Sequence, residues 1–136
     1  MRRDPGYRVR RPVLVLIASL AIANGSARCQ TVEDGSEATI GAPDTRIVLD
    51  LIRQDLDSPD AKVTALRRSG RTHICGSVNV KNRDGLYTGE RGFVIDLDAR
   101  RFGRVPDGPE LLNPRSVGFE EKEAIRRSYF RLCLDD

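Results

Sequence analysis

The amino-acid sequence predicts an α+β fold: a small antiparallel meander of three to four strands, with an N-terminal and a C-terminal helix packed on one face. Three observations carry this expectation. Apolar residues recur at helical spacing around position 50, alternate with polar residues between 62 and 98, and return to helical spacing at the C-terminus. Turn-forming residues separate the alternating runs. Helices that flank a run of strands, instead of alternating with them, point to an antiparallel sheet covered from outside.

Residues 1–27 read as a secretory signal peptide. Arg2, Arg3, Arg8, Arg10 and Arg11 form a positive n-region, Val13 to Ala23 an apolar stretch of 11 residues, and Asn24 to Ala27 a small-residue cleavage region. A membrane-spanning helix needs about 20 apolar residues, and the chain turns polar directly after this run. Cleavage is expected after Ala27, with Ala23 as the alternative position and an uncleaved signal anchor as the competing reading. Residues 28–43 are small, polar and aperiodic and read as a flexible lead-in. Residues 44–136 then make a single α+β domain.

Within that domain Asp44 or Thr45 is the expected N-cap of a helix over 45–56, in which Ile47, Val48, Leu51, Ile52 and Leu56 share a face. Pro59 and its neighbours stop it. Two strands follow, joined around Ser69-Gly70-Arg71. In the second, Ile74, Gly76, Val78 and Val80 point one way, and His73, Cys75, Ser77, Asn79 and Lys81 the other. Asn82 to Gly85 is a turn, with Gly85 suited to a positive φ. Phe93, Ile95 and Leu97 then alternate with Val94, Asp96 and Asp98, and a fourth strand is expected near Arg101–Val105. Pro106 to Pro114 is a proline-rich loop with room for one helical turn. The C-terminal segment from Phe119 opens with acids and continues with bases, as a helix dipole favours.

The charge balance depends on the leader. The whole chain carries 23 basic and 20 acidic residues, but residues 1–27 hold five arginines against one aspartate, leaving 18 basic and 19 acidic residues in 28–136. The sequence pI of about 9.0 thus belongs largely to the leader, and no nucleic-acid partner is expected. With no tryptophan in the chain, the core depends on aliphatic residues and four phenylalanines, and a disulfide would help so small a domain.

Three cysteines, Cys29, Cys75 and Cys133, allow one bridge and one leftover thiol in an oxidising compartment. Cys75–Cys133 is the expected pair, because both fall in regular structure. Cys29–Cys133, with Cys75 as a buried free thiol, is the rival.

His73 and Cys75 are the residues that invite a nucleophilic reading. They share a strand face but stand about 6.6 Å apart along it, too far for an easy dyad. One histidine and scattered cysteines offer no metal-ligand spacing, so no metal is expected. Gly85, Gly89 and Gly92 lead into a strand and match no phosphate-binding loop. No cofactor is implied.

The stretch from Cys75 to Phe93, "CGSVNVKNRDGLYTGERGF", resembles small exported bacterial proteins of unassigned function that carry a CGxVNxKNxxGxYxG hairpin motif. Cys75, Gly76, Val78, Asn79, Lys81, Asn82, Gly85, Tyr87, Gly89 and Phe93 match in register; "DSPDAKV" (Asp57 to Val63) matches the family's preceding turn loosely, and Leu86 stands where a second glycine is common. The resemblance implies secretion and a shared hairpin. It brings no activity.

Asn79 and Asn82 are expected to bond backbone groups around the turn, Gly85 and Gly89 to permit a bulge, and Tyr87 to pack across the hairpin. Asn79, Lys81, Asn82 and Tyr87 are also the expected interaction surface. The functional expectation is a non-enzymatic periplasmic or secreted protein that binds an envelope protein or a cell-wall component, without stable membrane insertion once the leader is removed. A small hydrolase or thiol-dependent enzyme using His73 and Cys75, and a peripheral protein held by its leader, are the alternatives.

Overall fold

The computed structural model of the protein describes residues 30–135. The expected signal peptide and Cys29 lie outside the described residues. The chain is α+β, with a five-stranded mixed sheet in the order β1 to β5. The elements are β1 (Thr31–Val32), α1 (Glu37–Ile40), α2 (Ala42–Leu56), β2 (Lys62–Ser69), β3 (His73–Lys81), β4 (Tyr87–Asp96), β5 (Arg101–Arg104) and α3 (Phe119–Tyr129), with a 3-10 turn at Gly108–Leu111 and a π turn at Phe130–Leu134. β2 to β5 form the expected antiparallel meander.

Four expectations are corrected. The sheet has five strands, not three or four, because β1 pairs in parallel with β2 through Thr31↔Lys62 and Val32↔Val63. The segment read as a flexible lead-in carries this strand and α1, and it is bonded into β2. A bulge between Thr64 and Arg67, with Ala65 at φ 52°, breaks the β2–β3 ladder. Segment 30–43 fills the gap: Asp34 Oδ2 accepts the Ala65 amide at 2.7 Å, Ser36 Oγ the Leu66 amide at 2.8 Å, and Thr39 Oγ1 donates to the Leu66 carbonyl at 2.7 Å. Backbone groups left open by a bulge need such partners. Ile40 completes the attachment by entering the core.

The third correction concerns the helices, which cover opposite faces. On one face Val48, Leu51 and Ile52 of α2 pack with Val63, Leu66, Ile74, Val78, Phe93, Ile95 and Phe102. On the other, Cys75 and Val94 pack with Cys133, Tyr129 and Leu132. Successive strand residues point to opposite faces, so the burial of both Ile74 and Cys75, and of Phe93, Val94 and Ile95 in a row, requires cover on each side.

Helix α2 also begins earlier than expected. Gly41, at φ 86°, precedes its first residue, and Pro43 sits in the first turn, where a missing N–H costs nothing. Thr45 is inside the helix and donates its hydroxyl to the Gly41 carbonyl at 2.8 Å, while Asp44 pairs with Arg68.

Two glycines set the packing. A Cβ on Gly76 would lie 2.6 Å from Cζ of Phe93, whose ring crosses that position. Gly92 has the Tyr129 ring in the same relationship, which lets α3 lie close on the sheet. The π turn then brings Cys133 to Cys75, with 5.8 Å between their Cα atoms. The Ser69 hydroxyl donates to the Leu132 carbonyl at 2.5 Å, satisfying a carbonyl that the helix end leaves without a helical partner.

Candidate binding surface on the β3–β4 hairpin

The hairpin is built by its asparagines. Asn82 Oδ1 accepts the amides of Asp84 and Leu86, each at 3.0 Å, while the backbone closes through the Asn82 amide to the Leu86 carbonyl at 2.8 Å. Gly85 has φ 77° within this turn. A register shift between Asn79 and Lys81 displaces the ladder, and Asn79 Oδ1 reaches across to accept the Gly89 amide at 3.0 Å. Gly89 has φ 102°, a value few residues other than glycine adopt. Both asparagine oxygens are therefore engaged in holding the loop.

Tyr87 lies opposite Lys81 in the register and is partly exposed. Its hydroxyl donates to the Asp60 carbonyl at 3.1 Å. The ammonium groups of Lys62 and Lys81 stand 4.8 and 5.2 Å from its ring centroid, within the range of cation–π attraction. Lys81 also pairs with Asp60 at 3.3 Å, and Lys62 with Glu33 at 2.9 Å. The bond to Glu33, then its charge, hold the Lys62 ammonium more firmly protonated than usual. An aromatic ring flanked by two fixed cations at a protruding loop makes a concentrated polar surface with an apolar centre.

The structure brings together Lys81 and Tyr87 of the four expected surface residues, and adds Asp60, Lys62 and Glu33. Asp60 and Lys62 fall in the "DSPDAKV" segment, so that segment and the hairpin meet at Tyr87. Glu33 lies in the stretch set aside as lead-in, and no local pattern marked it. Between the α2–β2 turn and the hairpin lies a hollow of about 380 Å³, lined by Leu56, Asp57, Lys81, Asn82, Arg83 and Arg104 among others.

The other end of β3 differs. Cys75 is bonded to Cys133, so it offers no thiolate to His73. The His73 ring has Nδ1 3.1 Å from Thr72 Oγ1 and Nε2 3.8 Å from Asp96 Oδ2. The Ala99 amide, then the His73 and Arg101 charges, hold the Asp96 carboxyl below the usual range, while desolvation works against them. His73, Asp96, Arg101 and Arg131 border a groove of about 300 Å³ between the sheet and α3, floored by Val94, Phe102 and Ile125.

Among the described residues no cluster of three or more His, Cys, Asp or Glu residues is placed to hold a metal ion, and no helix is long and apolar enough to cross a membrane. No family model, curated protein or solved structure matches the chain.

Proposed function

We propose that the protein is an exported, non-enzymatic binding module, acting in the periplasm or the medium, whose β3–β4 hairpin holds an envelope protein or a cell-wall component. The observation that carries this reading is the Tyr87 ring between the Lys62 and Lys81 ammonium groups, on a loop whose backbone is braced by Asn79 and Asn82. A preorganised aromatic with adjacent cations loses little conformational freedom on binding. The Cys75–Cys133 bond is compatible with an extracytoplasmic location and argues against a thiol enzyme at His73 and Cys75. The test is photo-crosslinking from a reactive amino acid at Thr88, in cells that export the protein with its own leader. A discrete adduct supports the reading; a smear indistinguishable from the same probe at Leu112 opposes it.

A further inference from the structure

Arg104 closes β5 and pairs across the sheet with Phe93, which places it on the α2 face beside the C-terminal end of that helix. It is half-buried. Its neighbour Arg91 is paired with Asp107 and Glu110, and Lys81 with Asp60. No carboxylate among the described residues forms an ion pair with the Arg104 guanidinium. Burial first, and the Arg91 charge second, work against its protonated form, with only partial compensation from the Glu110 charge. The partial negative charge at the α2 C-terminus offsets some of this cost, yet among the described residues no helix carbonyl bonds the guanidinium. A partly buried charge without a partner is expensive to hold.

Arg104 lines the hollow of about 380 Å³ beside the hairpin, and Asn82 and Arg83 line it too. The Asn82 side-chain oxygen is consumed by two turn amides, which leaves its NH₂ as a donor. Together with Lys81 and Ser58, which also line it, five donor-bearing side chains surround one space. Two carboxylates line it as well: Asp60, paired with Lys81, and Asp57, the opposing charge the anion would meet.

We propose that this hollow binds an oxyanion, a carboxylate or phosphate group of the ligand, with Arg104 as its principal contact and the Asn82–Arg83 turn as its second wall. The planar fork of a guanidinium matches either group through two parallel hydrogen bonds. In assigning that group to the hairpin's ligand, the inference rests on the function proposed above; the site itself is tested with small anions alone.

The experiment titrates the full chain with sodium acetate and, separately, with inorganic phosphate, against sodium chloride at equal ionic strength. NMR follows the Arg104 Nε–H and the amides of Asp57, Ser58, Asp60 and 82–85. A saturable shift beyond the chloride control is expected with at least one anion, and the stronger arm identifies the group. Arg104→Gln weakens binding about tenfold, the worth of a charge-assisted hydrogen bond, and Asp57→Asn tightens it. Arg104→Gln leaves the melting temperature unchanged or raises it. No shift beyond chloride, the same shift in Arg104→Gln, or a lowered melting temperature in that variant overturns the site, the last by making Arg104 a helix-end contact. An adduct from Thr88 that persists while the anion shifts are absent defeats this inference alone; anion binding without any adduct defeats the hairpin reading alone.

Discussion

The Phe93 ring lies across the Cα of Gly76, so near that a methyl group at position 76 would stand 2.6 Å from Cζ and 2.9 Å from Cε1. The same ring packs at 5.5 Å, centroid to centroid, on Phe102. Gly76→Ala must therefore displace a ring that is itself wedged in the core, at a cost of about 1–3 kcal/mol. Urea denaturation measures the loss. Adding Phe93→Leu should recover part of it, as coupling between touching residues requires.

The disulfide ties β3 to the π turn across 58 residues. In the chain-entropy model a loop of that length is worth about 4 kcal/mol. Reduction, or the Cys75→Ser/Cys133→Ser pair, should lower stability toward that limit and loosen α3 first. In the protein purified without reductant, alkylation should leave Cys75 and Cys133 unlabelled. A labelled Cys75 contradicts the pairing.

Asp34 fixes the bulge in β2 by accepting the Ser36 hydroxyl and the Ala65 amide, and these bonds hold its carboxyl below the usual aspartate range. A folded-state value that is depressed contributes stability above the unfolded value and loses it as pH falls through the folded one. The stability gap between the wild type and Asp34→Asn should be constant above about pH 5 and shrink progressively below about pH 4. Denaturation midpoints across that range check it. A gap independent of pH denies Asp34 its role.

Asn82 and Tyr87 separate shape from surface. Asn82→Ala strands the Asp84 and Leu86 amides and should cost about 1–2 kcal/mol, whereas Asn82→Asp, whose oxygen accepts the same amides, should cost less. Tyr87→Ala removes an exposed ring and one hydroxyl bond, and its melting temperature should fall less than that of Asn82→Ala. Thermal melts of the three variants decide the order.

The meander was legible because β3 and β4 alternate and the Asn82–Gly85 turn is chemically distinct. Elements β1 and α1 were not, since two and four residues carry no period, and their anchors bond a bulge about 30 positions away. The placement of α3 on the second face was within reach. Cys75 alternates with Ile74 and Gly76, so a bond from Cys75 to the C-terminal helix already requires that helix to lie opposite α2. Val94 shares its face with Asp96 and Asp98, which concealed this, although Gly92 on the same face is the seat of Tyr129. At the surface, Tyr87 and Lys81 were visible from the motif, while Lys62 and Glu33 join them only through the β1–β2–β3 register.

On the function proposed above, Lys81 and Tyr87 of the hairpin and Lys62 of β2 bind the partner, and the asparagines shape the loop. The most direct measurement is the yield of the Thr88 crosslinked adduct in wild type and in the Lys62→Ala/Tyr87→Ala double variant, with melting temperatures recorded for both. The account predicts a discrete adduct in wild type that falls at least tenfold in the double variant, while the fold still melts cooperatively. An adduct of equal yield in both proteins would contradict it.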